Sequence, residues 1–329
     1  MIKKNVLIVL CLIFTYSVKA QNQVEEKKFI PSGTAYAKIY SNFNISIQNP
    51  EPIYKFELTR AYFGYKYQMS EFLSANVCLD AGKTTSLEQI VYFKYAALVY
   101  QKNKLNLTFG LIGLEHFYQQ EKFWGYRYIY KSFLDQNGLS HSADLGATVK
   151  YKITPKIKFD ATVRNGEGYK NMASDNTLRA GAGFTIESIK NVIVKAYYDI
   201  YQKSETQSMI TGFVGYKFEE KARIGVEYNM ILNNCFKASN DLQGISAFAT
   251  YSISKKFEIF GRYDKLFSNT MSEQNNPWNY SKDGSTIIGG IQFNPMKHVN
   301  IALNYQGYIF DDSKKERVNN VFVNFEYAF

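Results

Sequence analysis

Arg127 and Lys131 stand four residues apart in "EKFWGYRYIYK", residues 121–131. On a short helix over 121–135 they would share a face, and paired cations attract anions rather than make or break bonds. Lys122, Glu115 and His116 lie in the same 113–140 stretch, with Glu121 and Asp135 as counter-charges. More cations fall in the polar register of β-rich segments: Arg60, Lys66, Lys94, Lys150, Lys158, Arg164, Arg179, Lys195, Arg223 and Arg262. They outnumber Asp160, Asp199, Glu227, Glu258, Asp264 and Glu326 in those registers. Around a water-filled hole, a modest basic excess predicts a mild preference for small anions over a wide range of small solutes. The plainer reading is that many of these charges pair across strands and stiffen a wall, with Lys131 paired to Asp135.

Bond-making chemistry has little to work with. The histidines are His116, His141 and His298. "HS" at 141–142 invites comparison with outer-membrane phospholipases, but neighbours on a strand point to opposite faces, so His141 cannot serve Ser142. No Cys, His or carboxylate cluster has metal-ligand spacing, and no cofactor is expected. After the first twenty residues only Cys78 and Cys235 remain, too few for a disulfide framework. The basic charge is spread over strands, a poor match for nucleic acid.

The elements that would position these charges are strands. "MIKKNVLIVLCLIFTYSVKA" reads as a cleaved signal peptide, 1–20: two lysines, a short apolar run, then Val18 and Ala20 before the cut. Cleavage would take the net charge from +10 to +7. After a short segment, 21–32, sixteen alternating segments follow over 33–329. They lie near 33–46, 54–68, 71–82, 90–101, 104–112, 141–153, 157–166 and 177–187, then 191–202, 207–218, 221–231, 242–253, 257–267, 284–294, 298–309 and 317–329. Tiny connections such as "KN" at 102–103 and "TPK" at 154–156 alternate with long polar ones such as 268–283. Short turns on one side and long loops on the other predict a transmembrane antiparallel up-and-down β-barrel. On the apolar face near the short-turn end come Tyr67, Tyr151, Phe218, Tyr251, Phe293 and Phe329, an expected interfacial girdle. The last strand should pair with the first, because an open edge in lipid leaves backbone groups unsatisfied. The 113–140 connection, third of the long loops, would fold inward on Phe123, Trp124 and Tyr128. It would present Arg127 and Lys131 to solutes, with Arg60, Arg164, Arg179, Arg223 and Arg262 on the wall.

Four stretches resemble the phosphate-selective porin family and related small porins of Gram-negative outer membranes. "ELTRAYFGYKY" (57–67) looks like the family's second strand. "FGLIGLEHF" (109–117) and "RYIYKSFLDQNGLSHSADLGATVKY" (127–151) look like its constriction loop and return strand, with "SADLG" at 142–146. "NFEYAF" resembles the terminal signal read by the barrel-assembly machinery, with Phe325, Tyr327 and Phe329 at its aromatic positions. The resemblance implies a passive porin of the outer membrane: sixteen strands, an inward third loop, contact with outer-membrane lipids, and often homotrimers. Its solutes would be small anionic or neutral molecules, phosphate among them. The chain departs from the phosphate-selective pattern in lacking a dense lysine cluster in the third loop. A binding or adhesion barrel with a plugged lumen is the rival from another class.

Overall fold

The computed structural model describes residues 29–47, 51–83, 88–173, 175–219 and 221–329, with the Lys83 side chain left aside. The signal peptide and most of the 21–32 segment lie outside these residues.

Residues 32–329 form one unit of sixteen antiparallel strands. In chain order they are β1 (Ser32–Ile47), β2 (Ile53–Gln68), β3 (Leu73–Lys83), β4 (Gln89–Lys102), β5 (Leu105–Gly113) and β6 (Ala143–Thr154). Next come β7 (Ile157–Arg164), β8 (Arg179–Ile186), β9 (Val192–Gln202), β10 (Thr206–Phe218) and β11 (Ala222–Leu232). The last five are β12 (Leu242–Ser252), β13 (Phe257–Ser268), β14 (Gly284–Met296), β15 (Val299–Phe310) and β16 (Val318–Ala328). Each strand pairs with its neighbours in sequence, and β1 pairs with β16 from Lys38↔Ala328 to Ile47↔Asn319, closing the barrel. Closure satisfies both sheet edges, and Phe329, one residue past β16, still exchanges two backbone hydrogen bonds with Ala37 at 2.9 and 3.1 Å.

The two-residue period decides which side chains point in. On β11, Ile224, Val226 and Tyr228 are exposed while Gly225, Glu227 and Asn229 are buried. Greasy residues outside and polar residues inside invert the rule for water-soluble domains and suit a wall whose outer solvent is hydrocarbon. Tyr67, Tyr151, Phe218, Tyr251 and Phe329 are exposed near the short-turn end of the barrel. Cys78 is buried on β3 and Cys235 exposed in a loop; both are free thiols.

Three expectations need correction. The 203–205 connection between β9 and β10 is three residues long although it falls on the long-loop side. The β6 strand starts at Ala143, so His141 and Ser142 belong to the preceding loop and the opposite-faces argument does not apply to them. The loop helix spans Glu115–Trp124 (α1), not 121–135. It stops at Gly125, whose φ of +80° and N–H bond to the Glu121 carbonyl (3.0 Å) form a left-handed C-cap. A second, single-turn helix, α2, covers Phe133–Gln136.

Candidate functional site

The connection from Leu114 to Ser142 packs against the inward register of one half of the barrel. Trp124, at 1% exposure, meets Phe248 and Phe260 edge-on at centroid distances of 5.3 and 6.0 Å. Phe123 meets Phe213 at 5.4 Å, and Tyr126 lies 4.4 Å from Phe260. Phe133 sits over Gly244, where a Cβ would stand 1.9 Å from its ring, so only glycine leaves that seat open. Burying aromatic rings supplies the anchoring energy, and edge-on geometry adds to it.

The segment between the two helices has no ladder of its own, so its buried carbonyls must find donors elsewhere. The wall provides them. Arg223 Nη2 donates to the Trp124 carbonyl (3.3 Å) and Arg262 Nη1 to that of Lys131 (2.9 Å). Gln306 Nε2 donates to the Ile129 carbonyl (3.3 Å) and Asn324 Nδ2 to that of Tyr128 (3.4 Å). Tyr128 Oη donates to Gln292 Oε1 at 2.7 Å, and Tyr126 Oη bonds Glu258.

Most of the arginines expected to face solutes are therefore occupied. Arg262 is buried and makes two bonds of 2.8 Å to Asp264. Arg164 and Arg179 are buried and share Asp199, through Nη2 at 3.0 Å and Nε at 2.9 Å. Arg164 also donates to Tyr197 Oη at 3.2 Å. Lys195 is buried against Asp160. Arg223 pairs with Glu258 at 3.2 Å, and Arg60 donates to both oxygens of Asp80 at 3.0 and 3.1 Å. Among these wall arginines, Arg164, Arg179 and Arg262 stiffen the wall beneath packed side chains and do not line free space, and Arg262 also ties the wall to the loop.

Free space lies on the opposite side of the loop. A cavity of about 630 Å³ separates it from the inward faces of β1–β6. Five basic side chains line it, Lys38, Lys66, Lys94, Arg127 and Lys150, against the carboxylates of Glu115 and Glu121. A smaller space of about 260 Å³ shares Glu115, Tyr118 and Lys150 and runs to the short turn at 103–104.

The loop residues singled out from sequence fall into three settings. Arg127 faces the cavity while its guanidinium bridges Glu121 (3.2 Å) and Asp135 (3.3 Å); Lys131 is 3.8 Å from Asp135. Burial holds the Lys131 ammonium pKa below its ordinary value. Glu115 pairs with Lys150 at 2.8 Å, and Lys122 lies in a separate recess with Lys190 and Lys217 near the short turns. His116 is a correction: it is fully buried, its Nε2 3.0 Å from Ser140 Oγ and its ring 4.8 Å from Tyr197. Desolvation, reinforced by Arg164, Arg179 and Lys195, pushes its pKa well below normal, so it packs the loop as a neutral ring. No acid orients its Nδ1, and this His–Ser contact has no access to a substrate. Ser142 instead bonds Lys94.

Sequence reasoning passed over Asp80 and Tyr169. Asp80 is fully buried, holds Arg60 and accepts from Tyr169 Oη at 2.6 Å. The signal for Asp80 was present: it shares the inward register of β3 with Asn76 and Cys78. Tyr169 comes from the 165–178 loop, and nothing local announces its partner.

No family model matches the chain, and no curated protein does. Solved structures do. The outer membrane channel DcaP of Acinetobacter baumannii superposes with a TM-score of 0.70 at 13% identity, over 91% of this chain and 97% of that one. The anion-selective porin from Comamonas acidovorans gives 0.67 at 11% identity, over 91% and 100%. OmpT of Vibrio cholerae, solved in a trimer form, gives 0.62 at 13%, over 91% and 99%. At such identities the likeness is one of architecture and does not single out the phosphate-selective members. The closed sixteen-strand barrel described above is the fold of the outer-membrane porins.

Proposed function

We propose that this chain is a porin: a passive, water-filled channel of the Gram-negative outer membrane, exported by the signal peptide at 1–20. It passes small solutes with a mild preference for anions, inorganic phosphate among them. The observation that carries this reading is the cavity beside the loop, with five basic side chains against two carboxylates. Low-dielectric walls strengthen such a bias and salt weakens it. The loop is the constriction: Arg127, which borders the cavity, and Lys131 beside Asp135 are the residues that tune passage. Phe325, Tyr327 and Phe329 offer the assembly machinery an exposed aromatic register at the end of β16. Homotrimers are the expected assembly, as in the trimer form solved for OmpT.

Recording from purified protein in a planar bilayer tests this. The expected result is stable conductance steps and a reversal potential on the anion side in a salt gradient. A cation-side potential overturns the anion preference. An absence of steps favours a plugged binding barrel, and lipid hydrolysis by the protein would make it an enzyme.

A further inference from the structure

The cavity has a second character that charge alone does not use. In the inward register of β4, where alternation elsewhere places polar groups, stand Ala97 and Val99. Leu114 and Phe117 face the same space from the loop. Small hydrated ions gain nothing from such a surface. On the charged side, Lys66 is exposed, and among the other four Lys94 stands apart. Arg127 and Lys150 each hold a carboxylate, as does Lys38, 3.6 Å from Glu326. Lys94 is 6% exposed and has no carboxylate within ion-pair distance among the described residues. Its Nζ donates to Ser142 Oγ and lies 4.2 Å from the Tyr169 ring centroid.

The backbone is bent to place it there. The register between β3 and β4 shifts at Cys78/Leu79, pairing Cys78 with Tyr95 and Leu79 with Phe93 and leaving Lys94 as the extra residue. A bulge of this kind re-aims a side chain, and here two successive residues, Lys94 and Tyr95, line the cavity. A buried ammonium without a counter-ion is costly unless an anion visits it. Because Lys94 donates to Ser142, the serine hydroxyl keeps its own proton free to donate to a visiting oxygen.

We propose that this cavity is a subsite for an organic anion with an apolar body, an aromatic monocarboxylate. Lys94 and Ser142 take the carboxylate, and Ala97, Leu114 and Phe117 take the ring. The volume lies within the roughly 300–1,000 Å³ of small-molecule sites, which likewise pair apolar linings with few polar groups. The inference rests on the channel reading and adds the chemistry of the solute it retains.

The test is block of chloride current through the full chain in a planar bilayer by benzoate, with acetate and inorganic phosphate as comparison ions. Benzoate should halve the current at a concentration about tenfold below that of acetate, the difference being burial of the ring. Lys94→Met should raise the benzoate concentration to the acetate range, and Ala97→Ser should raise it by a few-fold. Equal block by benzoate and acetate, or strongest block by phosphate, in a channel that still shows steps and an anion-side reversal potential, overturns the subsite and leaves the channel standing. An absence of steps removes the channel reading and the subsite with it. Should Lys94→Met fail to fold, the three-ion comparison on the unaltered protein decides.

Discussion

The two halves of the barrel obey the same alternation and end in opposite conditions. Along β7–β16, many inward polar residues are buried: Asp199 is shared by two arginines, Arg262 grips Asp264, and wall side chains feed the loop's carbonyls. Along β1–β6, Asp80, Asn42 and Asn44 are buried too, but Lys38, Lys66, Lys94 and Lys150 border open space, and Lys66 and Lys94 rest on tyrosine rings rather than on carboxylates. The difference comes from the loop. Its aromatic side chains find Phe213, Phe248 and Phe260 on one half, while the other half adds Tyr40, 6.3 Å from Tyr128, and the partly buried Tyr62. Charge on the anchored half becomes structure; on the open half Lys66 and Lys94 stay available to solutes.

The largest effect should come from the anchored half. Asp199→Asn would leave two buried guanidiniums short of one full counter-charge, and breaking a buried pair costs about 3–5 kcal/mol. Urea unfolding of the detergent-solubilised barrel should show that loss, whereas Lys66→Met on the open half should stay within about 0.5 kcal/mol of the parent. Trp124→Ala should cost about 3–5 kcal/mol, as deletions of large buried aromatics do. Since the loop rather than the wall loses its anchor, single-channel records should also become noisier and step to larger conductance.

A smaller change is expected from the double variant Arg127→Ala with Lys131→Ala. The anion-to-cation permeability ratio should fall by a few-fold, read from the reversal potential at 0.1 M salt. Raising salt to 1 M shortens the screening length from about 10 to about 3 Å and should shrink the ratio in the unaltered channel as well.

The smallest effect is on pH. His116 is neutral in the fold with its pKa depressed, so the unfolded chain binds the proton more readily. Its contribution is fully present above the ordinary histidine value of about 6.5 and is lost as pH falls below it, toward the depressed value. Thermal unfolding should shift to lower temperature between pH 7.5 and pH 5, and His116→Gln should reduce the part of that shift owed to this residue.

Much of the wall was legible beforehand because its code is local. A period of two marks each strand, as in Ile224–Val226–Tyr228 against Glu227 and Asn229, and turn length marks the side. The segment expected at 54–68 spans 53–68, and that expected at 317–329 spans 318–328. The loop was less legible. Its helix ends where Gly125 takes a positive φ, which the chemical spacing of Arg127 and Lys131 does not reveal. Partnerships across the barrel were illegible for a different reason. Asp199 meets Arg164 across 35 residues, and Tyr128 meets Gln292 across 164. Such pairs follow from closure and from where the loop settles. The bulge at Lys94 is of the same kind: one extra residue in β4 relative to β3 becomes visible only when both strands are aligned.

The division into an anchored and an open half is tested most directly by cysteine modification during recording. With Cys78 and Cys235 replaced by alanine, a single cysteine is placed at Val99, beside the cavity, or at Ile288, under the loop on β14. A negatively charged methanethiosulfonate reagent should lower the current stepwise through the Val99→Cys channel and leave the Ile288→Cys channel unaffected. Rapid modification at 288 with none at 99 would mean that the passage runs through the half described here as packed, and the account would be wrong.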